Sequence, residues 1–447
     1  MITTKSQLLK GNTLNKRTAR SASLDSKTGW GVVLAAVIST FAAFGVTYSF
    51  GASFTAIRDE FGVGKGQVAL FFAITTFVYF ILGIFTGRLA DRFGPRPVLL
   101  FGAGSIGVGL LLTSLVNNIW LGYLTYGGGV GIGVACAYVP MIAAVGGWFE
   151  KNRTKALGFA VAGIGIGTLV GAPASKFLVN TYGWRTSFVI LAITSSSLLV
   201  LASFTAYKPP VANTGQPAPS LKALLKDGRF IWLYCSMLLL SSSLFIPMVY
   251  LDDYLESQGG SGGAFLIGII GATSVIGRLA LGTIANKIGL SRLYILAVVV
   301  LSSSYTLWII AGSSYTILVI FTIIMGVSYG GWIALSPSIT AQLFGPVGLG
   351  GVLGALYTSA GIGGLIGPPL TGVIIDNRGY PFAISIVMIV AFCSLPLLVK
   401  ALRAKAPEGK ERFDIPVTFF ILDLLSQITE DYDNSQASEH AKPSKSL

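Results

Sequence analysis

Apolar stretches of about 20 residues recur along most of this chain, and they constrain its fold more than any other feature. A helix of that length crosses the ~30 Å hydrocarbon core of a bilayer. Backbone groups in lipid must pair within the segment, which favours helices over open strands. The sequence therefore predicts an all-α membrane protein. Twelve transmembrane spans are predicted, near 30–53, 67–86, 97–116, 119–147, 156–179, 185–206, 230–254, 264–285, 292–311, 315–343, 349–374 and 380–401.

Composition agrees with this class and excludes several functions. Only 11% of the 447 residues are charged, against about 25% in a soluble domain. The net charge of +13 comes largely from basic loops and tails, so no nucleic-acid partner is expected. The three cysteines lie within or near spans, and the single histidine, His440, lies in a polar tail. No cofactor, metal site or enzymatic activity is predicted.

The basic loops set the predicted orientation. They follow the second and fourth spans, whereas an opposite loop region carries Asp252, Asp253 and Glu256. Both termini should therefore face the cytoplasm of a multi-pass protein of the plasma (inner) membrane. The predicted division is a cytoplasmic tail at 1–28, a six-helix bundle at 29–206, a cytoplasmic linker at 207–228, a second six-helix bundle at 229–402 and a cytoplasmic tail at 403–447.

The two halves repeat a loop sequence. Gly87 to Gly94 follows the second span, and Gly282 to Gly289 follows the eighth, at the matching place. Two related six-helix halves with a binding site between them are typical of transporters. The first copy, Gly87-Arg88-Leu89-Ala90-Asp91-Arg92-Phe93-Gly94-Pro95-Arg96, resembles the loop motif of the major facilitator superfamily. The resemblance implies two pseudo-symmetric bundles of that fold.

A gating role is expected for this motif. Its glycines permit a tight reversal, and Asp91 can pair with a basic group or with helix amides. Making and breaking such contacts biases inward against outward states. The predicted gating residues are Gly87, Asp91, Arg92, Gly94, Arg96 and Arg153.

A second pattern, at the start of the fifth span, narrows the family. It combines Trp148-Phe149, Arg153 and the small residues Gly158, Gly163 and Gly167. This pattern resembles a motif of the monocarboxylate porters, which are related to the oxalate/formate exchangers. The acidic residue that members often carry before the first span is absent at its expected place, where Ser26-Lys27-Thr28 stands.

Arg278 is the charge within the otherwise uncharged stretch Phe265–Ala285. A charge at that depth costs on the order of 3 kcal/mol and usually serves a ligand or a partner side chain. The sequence offers no obvious acidic partner. The resemblance places Arg278 where family members carry a substrate-binding arginine, and one guanidinium suits one carboxylate. The alternative is an arginine satisfied by backbone carbonyls.

At three positions, this chain has an uncharged residue where relatives carry a charged one. Ser274 stands where animal porters often carry aspartate, and Ala52 appears where they carry lysine. Ala360 replaces the lysine of oxalate exchangers. The coupling scheme of relatives therefore cannot be transferred, and a monocarboxylate is favoured over a dicarboxylate, whose second buried charge would lack a partner.

Other residues predicted to line the site are polar or aromatic side chains inside spans, although each could equally serve packing or a membrane-interface belt. They are Tyr48, Tyr126, Ser274, Tyr329, Trp332, Tyr357 and Ser359.

The expected function is secondary transport of small monocarboxylates such as lactate, pyruvate or short-chain acids, by alternating access and linked to protons. The expected partners are that substrate, protons and the lipid bilayer, with one chain as the transport unit. Alternatives are an organic-anion exchanger of the oxalate/formate type, an efflux pump for larger amphiphilic anions, or a membrane sensor that no longer transports.

Overall fold

A computed structural model describes residues 24–210, 224–345 and 349–404. The described residues form helices and connecting turns without strands, which confirms the predicted all-α class. The helices are α1 (Lys27–Phe61), α2 (Lys65–Phe93), α3 (Pro95–Ser114), α4 (Ile119–Trp148), α5 (153–182), α6 (184–203), α7 (Gly228–Ser257), α8 (Gly263–Ile288), α9 (Leu290–Ala311), α10 (Tyr315–Phe344), α11 (Leu349–Arg378) and α12 (Tyr380–Arg403).

Gly183 divides what is otherwise one helical run of 51 residues, Arg153–Ser203. At about 1.5 Å per residue, that run would far exceed the ~30 Å hydrocarbon core. Gly183 has φ 79° and ψ 160°, a conformation that favours glycine. Eleven helical segments of the described residues are long and apolar enough to span a membrane. Because Gly183 divides one of them into two helices, they correspond to twelve spans.

The repeated loop sequence has the same geometry in both halves. Gly94 and Gly289 end α2 and α8 with φ of 91° and 96°. Their amides donate to Ala90 O at 2.8 Å and Ala285 O at 3.0 Å. The two halves therefore repeat this loop in structure as well as in sequence.

Glycines let the helices of each half approach until backbones touch. In the second half, a Cβ at Gly330 of α10 would lie 2.0 Å from the carbonyl oxygen of Ser274 in α8. In the first half, a Cβ at Gly163 of α5 would lie 2.3 Å from the carbonyl oxygen of Val37 in α1. These crossings fix the positions of α1, α8 and α10, which carry Tyr48, Arg278 and Tyr329.

Glycine contacts also join the two halves. A Cβ at Gly165 of α5 would lie 2.4 Å from the carbonyl oxygen of Gly271 in α8. A Cβ at Gly361 of α11 would lie 3.0 Å from the Phe80 side chain of α2. These two contacts hold α5 against α8 and α11 against α2.

Candidate functional site

Arg278 lies in the middle of α8 and is only 4% exposed. Its Nη1 donates to the carbonyl oxygen of Val161, which belongs to α5 in the other half. Its Nε and Nη2 are buried and have no hydrogen-bond partner among the described residues. A single backbone carbonyl therefore satisfies one side of a buried guanidinium and leaves another side unpaired.

The unpaired atoms have a geometry that a carboxylate would match. Nε–H and one Nη2–H point in parallel from one edge of the planar guanidinium, and the two oxygens of a carboxylate match that edge. Leaving charged donors buried and unpaired costs several kcal/mol. Among the described residues, ion pairs use other cations: Arg58, Lys65, Lys176, Arg185 and Arg229. The free edge of Arg278 can therefore accept an anionic ligand, and its role in binding stays a prediction.

Two predicted tyrosines lie beside this arginine, one from each half. The guanidinium carbon of Arg278 lies 5.8 Å from the centre of the Tyr329 ring on α10. The Tyr329 hydroxyl lies 3.2 Å from the hydroxyl of Tyr48 on α1, and either oxygen can donate. Tyrosine hydroxyls at this place can also donate to a carboxylate, while their rings form an apolar wall.

Two further tyrosines of the site were missed in the sequence prediction. They are Tyr79 of α2, which is 2% exposed, and Tyr138 of α4, which is partly buried. The Phe44 ring joins them, with its centre 5.4 Å from Tyr48, 5.8 Å from Tyr79 and 5.2 Å from Tyr138. The first half therefore faces the arginine with an aromatic wall.

Other predicted lining residues are engaged elsewhere in this conformation. The Ser274 hydroxyl donates to Gly271 O at 2.7 Å and the Ser359 hydroxyl to Leu356 O at 2.5 Å, each within its own helix. The Trp332 side chain of α10 is buried in the hydrophobic core. A role for these three side chains in binding stays a prediction.

The remaining two predicted residues are aromatic packing partners. Tyr126 packs on Phe50 and Phe188 in the first half, at ring distances of 5.3 and 5.5 Å. Tyr357 of α11 lies 6.1 Å from the Phe80 ring of α2, and so contacts the opposite half. Of the two, Tyr357 is the one that the fold places between the halves.

Sequence comparison identifies the family. A sequence model of the Major Facilitator Superfamily matches residues 36–302 and, overlapping them, residues 265–429. The chain belongs to the major facilitator superfamily. It is 28% identical over 361 residues to monocarboxylate transporter 13 of Rattus norvegicus, covering 79% of this chain and 84% of that protein. Identity to monocarboxylate transporter 12 of Xenopus laevis is 26% over 400 residues, covering 82% and 87%.

A fungal relative is about equally similar. The agnestins efflux protein AgnL12 of Paecilomyces divaricatus is 28% identical over 356 residues, covering 78% of this chain and 81% of that protein. The predicted resemblance to the monocarboxylate transporter family is confirmed, and the chain is a multi-pass membrane transporter of the superfamily.

The loop motif of this superfamily lies at the end of the helices where Gly94 joins α2 to α3. Asp91, Arg92 and Arg96 are exposed there. The Arg92 guanidinium stacks on Phe93 at 5.1 Å, and that of Arg96 on Phe204 at 5.6 Å. None of the ion pairs among the described residues uses Asp91. In this conformation the motif is solvated.

The other two predicted gating residues, Gly87 and Arg153, lie against α4. A Cβ at Gly87 would lie 3.4 Å from the Val139 side chain, and a Cβ at Gly146 would lie 3.5 Å from Nη2 of Arg153. A gating role for all six predicted residues stays a prediction.

Asp25 directly precedes Ser26-Lys27-Thr28, where the acidic residue of family members is absent. Its carboxylate accepts from the amides of Glu150, Lys151 and Asn152 at 3.2, 3.1 and 2.9 Å. Desolvation alone would raise the pKa of Asp25, but hydrogen bonds from Asn152, Glu150 and Lys151 lower it below its ordinary value. Asp25 therefore ties the start of α1 to the loop before α5 and stays ionised near neutral pH.

Proposed function

We propose that this protein is a secondary transporter of small monocarboxylates that works by alternating access, with both termini in the cytoplasm of the plasma (inner) membrane. The observation that carries the proposal is the unpaired Nε and Nη2 edge of Arg278, buried between the halves. A carboxylate on that edge neutralises the guanidinium and satisfies both donors.

One cation favours one carboxylate. Ala360, which stands where oxalate exchangers carry lysine, is 3% exposed and apolar. A dicarboxylate bound at Arg278 would place a second negative charge in a low-dielectric site lined by aromatic rings. An unpaired buried charge costs several kcal/mol. The aromatic wall of Phe44 and its neighbouring tyrosines suits the short apolar body of a lactate-like acid.

Arg278 also links the substrate to the movement of the halves. Its guanidinium is carried by α8, and it donates to Val161 of α5 in the opposite half. A carboxylate on the remaining edge removes the unpaired charge from between the halves. The ligand therefore binds the arrangement in which Arg278 contacts α5 better than one in which the halves are apart. This difference in affinity drives the conformational change.

We propose proton linkage because the cargo is charged. A monocarboxylate that crosses with one proton carries no net charge, so the membrane potential does not oppose its import; each unpaired charge would cost about 2.3 kcal/mol per 100 mV. Ser274 and Ala52 cannot carry that proton, which distinguishes this chain from relatives with charged groups there.

Efflux of larger amphiphilic anions is the second candidate, favoured by the similarity to a fungal efflux protein.

Uptake by purified protein in liposomes tests the substrate class. We expect radiolabelled lactate or pyruvate to accumulate, faster with an acidic exterior, and oxalate uptake to stay at the level of empty liposomes. Ala360→Lys should raise oxalate binding, because it supplies the second cation. Efficient oxalate uptake by the unchanged protein would contradict the single-carboxylate site, and uptake restricted to large amphiphilic anions would favour the efflux function.

The loop motif should affect movement rather than binding. Asp91→Asn removes the charge that can pair when the motif end of the bundle closes, so we expect uptake to fall about tenfold, which corresponds to ~1.4 kcal/mol. The substrate Kd should change less than about twofold. Glu150→Gln, another exposed carboxylate at the same end, is the control and should transport normally. A Kd shift as large as the loss of uptake would exclude the gating role of Asp91.

A further inference from the structure

Ion pairs with buried carboxylates join the two halves at the end of the bundle opposite to the loop motif. Asp253 of α7 is 3% exposed. It pairs with Arg58 of α1 at 3.0 Å and with Lys65 of α2, and Tyr380 of α12 donates to it. Asp252, 1% exposed, pairs with Lys176 of α5 at 2.8 Å. In each of these inter-half pairs, the cation comes from the first half and the carboxylate from α7.

The first turn of α2 closes against the second half at the same place. The Lys65 amide donates to the carboxylate of Asp376 in α11 at 2.8 Å, so an acid of one half caps a helix of the other. A Cβ at Gly372 of α11 would lie 2.4 Å from the Gly66 nitrogen. Charge pairing and close backbone packing therefore coincide, although they are independent observations.

Neighbouring charges complete the surroundings of Asp253. Glu256, also on α7, shares Lys176 with Asp252 at 2.5 Å and accepts from Thr55 of α1. Asp59 pairs with Arg58 from the exposed side at 2.9 Å. Removing Asp253 would leave Arg58 with Asp59 but would strip Lys65 of its ion-pair partner. Breaking a buried pair from one side is strongly unfavourable, since it leaves an uncompensated charge.

We propose that Asp253 and the first turn of α2 form the outer gate of the transport path, with Asp253 as its central residue. The gate is closed in this conformation, whereas Asp91 at the opposite end is solvated. Opening the gate hydrates Arg58, Lys65 and Asp253, so the balance between open and closed forms depends on their pairing. The proposal rests on alternating access and on the proposed cytoplasmic side of the loop motif, but it holds for any substrate.

The test measures gate opening without substrate. In a protein whose native cysteines are replaced by serine, Ala52→Cys places a thiol at a position that is 3% exposed behind the gate. We expect Asp253→Asn to raise the rate of labelling by a membrane-impermeant maleimide, added from the outer side, by about tenfold or more. Gly372→Ala should do the same through sterics alone, and Asp59→Asn, the exposed control, should not.

Two outcomes would overturn the gate. One is unchanged labelling in folded Asp253→Asn or, where that variant does not fold, in Gly372→Ala. The other is equal acceleration by Asp59→Asn, which would indicate a general loss of surface charge. Accelerated labelling in a protein that carries no monocarboxylate would uphold the gate and reject only the proposed substrate.

Discussion

Arg278→Ala is expected to abolish monocarboxylate uptake in a protein that still inserts and folds. Losing one partner of a buried, hydrogen-bonded charge pair costs about 2–5 kcal/mol, roughly 30-fold or more in affinity. Arg278→Lys keeps the charge but loses the parallel donors of the guanidinium edge, so uptake should fall about tenfold or more. Uptake per molecule of monodisperse protein is the measurement.

The control is Arg403→Ala, which removes an exposed arginine at the end of α12 and should transport normally. A purely structural Arg278, held only by Val161, gives the opposite pattern. Insertion into lipid becomes easier without the charge, so poor expression combined with normal uptake per folded molecule would assign the arginine to the fold.

Gly330→Ala is expected to destabilise the second half severely. Its new Cβ would lie 2.0 Å from the backbone oxygen of Ser274, and Gly277 makes the reciprocal approach to Val327 O, also at 2.0 Å. Overpacking usually costs about 1–3 kcal/mol, and a backbone atom cannot turn aside as a side chain can. We expect little monodisperse protein and a lower thermal midpoint.

Gly282→Ala is the matched control. It lies on the same helix as Gly277, and nothing lies within 4 Å of its Cβ position. Helix propensity alone should make this change neutral or stabilising by up to about 1 kcal/mol. Equal stability of the Gly330 and Gly282 variants would show that α8 and α10 do not cross as closely as described.

The spans were predictable because hydrophobic length leaves few alternatives in lipid. Even the break at Gly183 was anticipated, since a polar turn separates the apolar stretches around it. Arg278 stood out as a lone charge in an apolar helix. The unpaired Nε and Nη2 edge was not predictable from the sequence. Which atoms stay unpaired depends on the hydrogen bond from Nη1 to the Val161 carbonyl, and that bond depends on how α5 packs against α8.

The outer gate and the missed tyrosines show what one sequence leaves open. Asp252 and Asp253 were interpreted as acids near a loop, whereas the structure buries both at the end of α7. Asp253 pairs with Lys65, 188 residues earlier in the chain, and Asp252 pairs with Lys176, 76 residues earlier. Tyr79 and Tyr138 were missed because hydrophobic periodicity is weak in helices that are apolar on all sides, so the inward face cannot be chosen.

Binding of an acid and of its neutral amide tests the central claim most directly. Lactate and lactamide have nearly the same shape, but only lactate presents two oxygens with negative charge to the Nε and Nη2 edge of Arg278. Calorimetric titration should show lactate binding to the unchanged protein and no detectable lactamide binding, with lactate binding lost in folded Arg278→Ala. If Arg278→Ala still binds lactate and rejects lactamide, the carboxylate is held elsewhere and the assignment of Arg278 is wrong.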